Sequence, residues 1–202
     1  MGRKSLKSVR QKEIIQSFYK VATKEGLENT SIAKVANEMG VNTSLIMHYF
    51  NSKDELIFGL ISYILEQYKS LYVINGGINS EAKLKKTIDN LFSRDWNSLI
   101  DDGVFYSCYT LIFRDNNIKE AFKELHVLLR KFLEEVIQEA KQNGIVDVVS
   151  PKETAELIFV LVEGSYYYLS FYNINDKEYK DKLAFYKKTA LNLLEFKSDS
   201  SS

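Results

Sequence analysis

Side chains that can form hydrogen bonds cluster at one point of this sequence: Asn42, Thr43, Ser44 and His48. The apolar residues among them follow helical spacing, so the pattern predicts a short helix with a polar first turn and outer surface. Met47 lies on the same predicted surface. The major groove of DNA admits a helix and presents base edges that such groups recognise. The chemistry indicated is hydrogen bonding to base edges.

A second predicted helix lies just before this one and ends at a glycine. Its apolar residues repeat with helical spacing and form one buried stripe: Ile32, Val35, Ala36 and Met39. Ser31 or Thr30 can cap this helix, and Gly40 can adopt the left-handed conformation that ends it. Two helices joined in this way, with the second exposed, indicate a helix-turn-helix. An ordinary hairpin in a helical core has the same pattern, so these residues alone leave that alternative open.

Positive charge flanks this pair of helices. Between Met1 and Lys12 there are five basic residues and no acidic one, and an amphipathic helix follows. On the other side, Asn51 and Ser52 precede acidic residues, which is typical of a helix N-terminus. Lys53 lies where an ammonium group and a helix N-terminus can meet a phosphate. Charges on both sides of the polar helix favour a nucleic-acid-binding head over a simple hairpin.

The net charge of the chain is zero, but it is unevenly distributed. Residues 1–55 contain nine Lys or Arg and six Asp or Glu, whereas the remainder contains eighteen and twenty-one. The two parts therefore carry charges of +3 and −3. Binding of such a weakly basic head to DNA would weaken with salt, because it depends on the release of condensed counterions.

The order of several short motifs resembles the signature of the TetR family of bacterial transcriptional regulators. The motifs are Glu25-Gly26-Leu27, Thr30-Ser31-Ile32, Ile32-Ala33-Lys34-Val35-Ala36, Gly40-Val41, His48-Tyr49-Phe50 and Ser52-Lys53-Asp54-Glu55-Leu56. Within the family, the first 50 residues look most like the betaine-operon repressor type, and the resemblance covers about residues 8 to 60. Two residues depart from the pattern: Met47 stands where most members have tyrosine, and Ser44 where glycine or alanine is common.

The resemblance implies a homodimer that binds a palindromic operator in double-stranded DNA. It implies that Asn42, Thr43, Ser44 and His48 face bases, with Met47 beside them. Phosphate contacts are expected mainly from four residues: Thr30, Ser31, Tyr49 and Lys53. The expected function is that of a repressor released from its operator by a small-molecule inducer.

Composition and spacing predict an all-α fold with a three-helix head and a larger helical body. Proline occurs once, at Pro151, and the clusters of turn-forming residues that usually bound β-strands are sparse. About nine helices are expected, the later ones at 53–73, 80–92, 96–100, 104–113, 118–142, 151–172 and 177–196. Residues 1–52 would form the DNA-binding domain, 53–196 a regulatory and dimerisation domain, and 197–202 a disordered tail.

The last two predicted helices are apolar on more than one face. Residues 157–162 are all apolar, so the helix that contains them needs cover on two sides. In the resembled family the last two helices pair with their symmetry mates as a four-helix dimer interface, and these two fit that role. The residues expected there are Leu157, Leu161, Tyr168, Tyr186, Ala190 and Leu194. The alternative is that both helices only cap a large core.

Aromatic residues with polar groups are concentrated in the body. Tyrosines can line an apolar cavity and offer hydroxyls that orient a ligand. Together with the resemblance, this predicts a ligand pocket whose lining residues are Trp96, Phe105, Tyr106, Cys108, Tyr109, Phe113 and Tyr167. An aromatic box would suit a quaternary ammonium ion, but the resemblance ends before this region and implies no particular ligand. For any single one of these residues, a place in a core or dimer surface is the alternative.

The sequence contains no familiar catalytic or metal-binding motif. It lacks a phosphate-binding glycine loop, an HExxH motif and a nucleophile elbow, so no enzyme, cofactor or metal site is expected. It also lacks a signal-peptide or membrane-spanning run, which leads us to expect a cytoplasmic protein without membrane contact. Cys108 has no basic residue within five positions and is expected to be inert. The rival function is a DNA-binding module controlled by a protein partner or by modification of Cys108, without a small-molecule site.

Overall fold

The computed structural model of the protein describes the backbone of residues 2–71, 77–93 and 100–197. Within these ranges the chain forms nine α-helices and no β-strand, which confirms the all-α prediction. They are α1 (Gly2–Glu25), α2 (Ile32–Met39), α3 (Thr43–Tyr49), α4 (Lys53–Leu71), α5 (Glu81–Leu91), α6 (Asp102–Tyr109), α7 (Asn116–Gln142), α8 (Pro151–Leu169) and α9 (Lys177–Asn192). Most of the helix expected at 96–100 lies outside the described residues.

Helix α1 includes the basic stretch that the sequence places ahead of a helix. It begins at Gly2, because the residues between Gly2 and Lys12 include no proline or other helix breaker. Lys7 and Lys12 are exposed and make no ion pair with other described residues. Positive charge thus lies along the first turns of a helix.

The chain folds into two compact units. Unit 1 comprises Met1–Leu71 and Trp96–Leu125, and unit 2 comprises Tyr72–Asp95 and His126–Ser202. In unit 1, helices α2, α3, α4 and α6 all contact α1. The fully buried side chains of this unit include Ile14, Phe18, Val35, Ile46, Leu56 and Leu60. Burial of each such side chain stabilises the fold by about 1.5 to 3 kcal/mol. Because four helices contact α1, the core of unit 1 forms around this helix.

The turn between α2 and α3 has the predicted left-handed glycine. Gly40 has φ +65° and ψ +33°, and the Val41 amide donates to the Ala36 carbonyl over 2.9 Å. A Cβ atom at Gly40 would meet nothing within 4 Å. The backbone angle, and not lack of space, therefore favours glycine at this turn.

At a second position of unit 1, glycine is favoured because the side chain of a larger residue would not fit. A Cβ atom at Gly59 on α4 would lie 2.5 Å from Ile15 Cδ1 and 3.5 Å from Phe50 Cε1. Helix α4 thus approaches α1 more closely than a larger residue would allow. No local sequence pattern signals this contact, because its partner lies on a distant helix.

In unit 2, α5, α8, α9 and the second part of α7 enclose one core. Its buried residues include Leu84, Ile88, Leu133, Ile137, Ile158, Val162, Ala190 and Leu194. Two long-range hydrogen bonds link the surrounding segments: Tyr166 Oη donates to Leu91 O over 2.6 Å, and Asn143 Nδ2 donates to Ile78 O over 2.7 Å.

Helices α6, α8 and α9 end three or four residues before the predicted position. After α6, residues Thr110–Phe113 tighten into a 3-10 helix. Helix α8 ends where the Ser170 hydroxyl donates to the Tyr167 carbonyl over 2.7 Å. Helix α9 ends at Asn192, because the following residues bond to another segment: Asp147 N donates to Glu195 O over 2.9 Å, and an isolated bridge joins Val146 and Phe196.

Candidate nucleic-acid interface and body surfaces

The predicted base-reading side chains share one exposed surface of α3. Asn42, Thr43, Ser44 and His48 are exposed, and Met47 beside them is 52% exposed. Asn42 occupies the N-cap position in an extended conformation, but its side chain makes no capping hydrogen bond. Its amide therefore keeps donors and acceptors that the helix itself does not use.

Packing holds the opposite side of α3 in place. Ile46 is fully buried and Phe50 nearly so. His48 and Tyr49 meet edge to face, with ring centroids 5.0 Å apart, and Tyr49 is partly buried. The exposed polar surface thus stands on a fixed apolar base, which limits the reorganisation that binding would require.

Two of the four residues predicted to contact phosphates lie at the start of α2, and the hydroxyls of both already form hydrogen bonds within the protein. The Ser31 hydroxyl accepts a hydrogen bond from Lys34 N over 3.3 Å and caps the helix. Thr30 is only 1% exposed, and its hydroxyl donates to Gly26 O over 2.8 Å. The structure thus places Ser31 at the partly exposed cap and the Thr30 side chain inside unit 1.

The start of α4 is held by a reciprocal set of hydrogen bonds. The Ser52 hydroxyl accepts from Glu55 N over 3.2 Å, and the Glu55 carboxylate accepts from the Asn51 amide groups over 2.8 Å. These Asn51 donors lower the pKa of Glu55. Lys53 Nζ donates to Glu28 O over 3.0 Å, and its side chain is partly exposed. The predicted N-cap is present, and Lys53 lies at its edge as a cation without a carboxylate partner among the described residues.

Several other lysines of unit 1 pair with acids around α1 and α2. Lys20 forms an ion pair with Glu38, Lys24 lies 3.6 Å from the same carboxylate, and Lys34 pairs with Glu25. The hydrogen bond from Lys20 is the main reason that the pKa of Glu38 is lowered. These charges are partly neutralised within the protein, so among the described side chains of residues 6–55 the lysines without an ion pair are Lys7, Lys12 and Lys53.

A contact that the sequence analysis missed joins α1 to the start of α6. Tyr19 Oη accepts a hydrogen bond from Asp101 N over 2.7 Å. The Asp101 carboxylate in turn accepts from Val104 N over 3.0 Å and caps α6. Residues 19 and 101 are far apart in sequence, so no spacing rule relates them. These hydrogen bonds link the N-cap of α6 to the helix that carries the core of unit 1.

Four of the predicted ligand-binding residues lie on α6, where three contribute to an aromatic cluster. Phe105 and Tyr109 both contact the Phe122 ring, with centroids 5.9 and 5.5 Å away. Tyr106 contacts Phe105 edge to face and is partly buried. Cys108 is fully buried, and burial raises the pKa of its thiol to about 12. Such a thiol stays protonated near neutral pH, whereas the thiolate is the reactive form.

The other predicted ligand-binding residues are dispersed. Phe113 is largely exposed and lies in the 3-10 helix of unit 1. Tyr167 belongs to unit 2, is mostly exposed and packs edge to face on Phe171 with centroids 5.5 Å apart. Trp96 lies outside the described residues. Among the described members of the predicted set, the structure therefore brings the aromatic rings of Phe105, Tyr106 and Tyr109 together.

Helices α8 and α9 of unit 2 present an exposed apolar face. A groove of about 410 Å³ runs along it. Its lining residues are Leu157, Val160, Leu161, Gly164, Ser165, Tyr168, Tyr186, Thr189 and Leu193. Four of the predicted interface residues thus lie on this face, whereas Ala190 and Leu194 are fully buried in the core of unit 2.

Polar groups occur at one end of this face. The hydroxyls of Tyr168 and Tyr172 are 2.8 Å apart. Lys182 Nζ lies 5.3 and 5.4 Å from the centroids of these two rings and 3.4 Å from the Glu178 carboxylate. The hydrogen bond with Tyr172 is the main cause of the lowered pKa of Tyr168. This arrangement fixes the orientation of the tyrosines beside the apolar groove.

The described part of the chain contains neither a metal-binding cluster nor a membrane-spanning helix. No group of three or more His, Cys, Asp or Glu side chains in these residues could hold a metal ion. No helix among them is both long enough and apolar enough to cross a membrane.

Two family models match the chain. The model for bacterial regulatory proteins of the tetR family matches residues 14–60. The model for the tetracyclin repressor-like C-terminal domain matches residues 79–196, which is more than half of the chain.

Curated relatives match part of the chain. An HTH-type transcriptional regulator BetI from Proteus mirabilis is 30% identical over 88 residues, which are 44% of this chain and 44% of that protein. A BetI from Stenotrophomonas maltophilia is 24% identical over 95 residues, or 46% and 48% of the two chains. The chain spans about half the length of the curated relatives it matches.

Solved structures match almost the whole chain. A TetR transcription regulator from Haloarcula marismortui has a TM-score of 0.74 at 20% identity, covering 94% of this chain and 100% of that one. A protein from Saccharomonospora viridis in complex with choline has a TM-score of 0.68 at 13% identity, covering 95% and 100%. At such low identities these matches establish a shared fold.

Proposed function

Because this chain belongs to the TetR family of bacterial regulatory proteins, we propose that it is a homodimeric repressor that a small-molecule inducer releases from a palindromic DNA operator. The family consists of DNA-binding transcription regulators and not of enzymes. In this proposal residues 1–52 form the DNA-binding domain and 53–196 the regulatory and dimerisation domain. The protein would act in the cytoplasm.

The exposed polar surface of α3 is the observation that carries the proposal. Four hydrogen-bonding side chains stand side by side on an element that is packed against α1 and α2. We assign base contacts to Asn42, Thr43, Ser44 and His48, because amide, hydroxyl and imidazole groups match the donors and acceptors of the major groove. Met47 would offer its apolar side chain beside them.

Phosphate contacts would surround this surface. We assign them to Ser31, Tyr49 and Lys53, aided by the basic first turns of α1. The buried Thr30 side chain stabilises the turn before α2 through its bond to Gly26 O, so we assign it a positioning role. Lys53 already donates to Glu28 O, and its remaining hydrogens would bind a phosphate.

The exposed apolar face of α8 and α9 supports the homodimer. Leu157 and Val160 are 55% and 58% exposed, although both are aliphatic. An exposed apolar groove of this kind is stabilised when a protein surface covers it. A second copy of the chain would do so symmetrically and would place two heads on successive half-sites about 34 to 36 Å apart.

Release by an inducer requires coupling between the body and the head. We propose that ligand binding shifts α4 and thereby changes the separation of the two heads. The hydrogen bond between Tyr19 and Asp101 supports this route, because it connects α6 to α1 directly. A coupling free energy of about 1 to 3 kcal/mol would change operator affinity by roughly 5- to 150-fold. The choline complex of a protein with the same fold supports a small molecule as the inducer.

Footprinting of the DNA upstream of the gene, over a series of salt concentrations, tests this proposal. We expect a protected palindrome whose occupancy falls with salt as counterions are released. Uniform weak protection of all DNA would contradict an operator-specific repressor. A subsequent thermal-shift screen tests the inducer, because a ligand that binds only the folded state raises the melting temperature.

A further inference from the structure

A cleft of unit 1 lies between α6 and the segments that flank the helix-turn-helix. Its volume is about 480 Å³, which is in the range of small-molecule sites. Leu27 of the turn after α1 lines it, as do Lys53 and Ile57 of the first turns of α4. Tyr106 and Ser107 of α6 also line it. All of these residues belong to unit 1, so the cleft is a feature of one compact unit.

Part of the cleft is apolar. Leu27 is buried, whereas Ile57 and Leu111 are partly exposed. The partly buried Tyr106 ring adds an aromatic surface. Covering apolar surface that water reaches is favourable, so this part of the cleft suits the hydrocarbon portion of a ligand.

The cleft also contains a cation. Lys53 Nζ donates to Glu28 O over 3.0 Å, and both residues line the cleft. Lys53 forms no ion pair with a carboxylate among the described residues. An ammonium group has three hydrogens, and the bond to Glu28 O uses one of them. The other two are available to an acceptor that enters the cleft.

The acidic groups closest to the cleft do not neutralise this cation. Glu28 is the acidic member of the described lining, but its carboxylate lies against the turn before it: a Cβ atom at Gly26 would lie 2.9 Å from Glu28 Oε1. The Asp101 carboxylate accepts from Val104 N and caps α6. The cleft therefore combines an apolar surface with one positive charge that has no carboxylate partner.

This combination favours an organic anion with an apolar body. An ammonium group binds a carboxylate through charge-assisted hydrogen bonds, which are about twice as strong as neutral ones. Ser107 and Thr110 add hydroxyl groups to the lining, and a hydroxyl can donate to a carboxylate oxygen. Lys53 would repel an organic cation, and a neutral molecule would gain only the apolar contacts.

We propose that this cleft binds a small apolar carboxylate, an aliphatic or aromatic monocarboxylic acid, whose charged end lies on Lys53. Its hydrocarbon part would cover Ile57 and Leu111. The inference rests on the proposed function in one respect, since Lys53 is also proposed there as a phosphate contact. A carboxylate on Lys53 would neutralise the charge that attracts the phosphate, so the ligand and the operator would compete for the same side chain.

Calorimetry on the full chain without DNA tests the ligand class. The probes are hexanoate, octanoate and 3-phenylpropionate, each beside the primary amide with the same carbon skeleton. We expect at least one carboxylate to bind saturably, and its amide to bind about tenfold or more weakly. Lys53→Gln should weaken the carboxylate to the same extent, and Lys53→Arg should restore part of the affinity. Lys12→Gln is the matched control, because it removes an exposed charge of unit 1 that does not line the cleft.

Two substitutions that fill the cleft test its location. Ser107 is partly exposed and Thr110 is exposed, so Ser107→Phe and Thr110→Phe should obstruct the cleft without overfilling the core. The melting temperatures of the unliganded variants check that both fold. We expect both to lose carboxylate binding. Wild-type affinity in both folded variants overturns the inference, as does equal binding of carboxylates and amides or the absence of saturable carboxylate binding at millimolar concentration.

Operator binding tests the competition for Lys53. A saturating carboxylate should lower the operator affinity of the wild type by roughly fivefold or more, and operator DNA should lower carboxylate affinity by the same factor. Ser107→Phe should lose this response. Unchanged operator affinity at saturating carboxylate overturns the competition. A chain that binds the carboxylate in calorimetry but protects no operator supports the cleft and counts against the proposed function, so the two failures are distinguishable.

Discussion

Two exposed surfaces of this protein are built from opposite kinds of side chain. The outer surface of α3 presents amide, hydroxyl and imidazole groups, whereas the face of α8 and α9 presents Leu157 and Val160, which are 55% and 58% exposed. Water solvates the first surface well, but covering the second stabilises a complex by about 25 cal/mol for each Å² of apolar area. The first therefore suits a polar partner such as DNA, and the second suits another protein surface.

The two surfaces also differ in how they depend on the rest of the fold. The polar surface of α3 is supported by a glycine turn and by the close approach of α4 to α1. The apolar face arises from two long helices whose other sides fill the core of unit 2. Changes in one surface should therefore leave the other intact, and this independence can be tested.

The largest effect is expected from a charge placed in the apolar face. Leu157→Glu should weaken dimerisation by about 3 kcal/mol or more, because an unpaired carboxylate would be buried at the interface. The monomer should keep its fold, since Leu157 is more than half exposed. Sedimentation equilibrium measures the dimer, and operator binding should be lost in parallel.

Val149→Glu is the control for this change, since Val149 is 90% exposed and lies outside the groove. It should leave the dimer unchanged. A Leu157→Glu protein that dimerises as well as the wild type would remove the α8–α9 face from the proposed interface.

A smaller effect, on the stability of unit 1, should follow from disturbing the packing of α4 against α1. Gly59→Ala should destabilise unit 1 by about 1 to 3 kcal/mol, because the new methyl group would overlap Ile15 Cδ1. Chemical denaturation measures this change, and dimerisation at low denaturant should be unaffected.

A double-mutant cycle makes the steric explanation specific. Ile15→Val removes the Cδ1 atom, so Gly59→Ala should cost less in that background than in the wild type. An equal cost in both backgrounds would mean that the contact with Ile15 is not the cause.

Stability should also respond to pH through Glu163, which lies on a different side of α8 from the apolar groove. Its carboxyl pKa is raised from 4.5 to about 7 in the folded state, so between these values the folded protein binds more protons there than the unfolded chain. The free energy of unfolding should therefore fall as pH rises from about 5 to 7.5, by about 1 to 3 kcal/mol. Urea titrations at several pH values measure this slope.

Glu163→Gln should flatten that pH dependence, whereas Glu153→Gln should preserve it. Identical slopes for the wild type and Glu163→Gln would show that another group is responsible.

The smallest effect is expected in the salt dependence of operator affinity, which involves the polar surface of α3 and its surroundings and not the apolar face. Lys53→Ala should lower operator affinity and reduce the slope of log affinity against log salt by about 1, because one phosphate contact is lost. Lys177→Ala removes an exposed lysine from the start of α9 and should leave the slope unchanged. A lower affinity of Lys53→Ala with an unchanged salt slope would indicate that Lys53 acts only through Glu28.

Local sequence patterns predicted much of the DNA-binding head. The left-handed Gly40, the Ser31 cap and the N-cap before α4 are each set by interactions within a few residues, so their signals are contiguous in the sequence. The polar side of α3 follows from the same periodicity, because the apolar residues must turn inward.

Other features of the candidate sites depend on packing between distant segments. Periodicity does not distinguish Leu157, which is exposed, from Leu194, which is buried, since both belong to apolar stripes. It likewise does not reveal that the Thr30 side chain lies inside unit 1, or that α9 ends where Val146 pairs with Phe196.

The sequence by itself determined the all-helical fold and the order of motifs that mark the head, because both follow from interactions between near neighbours. Only the tertiary structure decided which apolar side chains face outward, that α4 needs glycine against Ile15, that Tyr19 meets Asp101, and that Tyr166 meets Leu91. Each of these depends on how helices far apart in the chain pack together, which helical spacing does not specify.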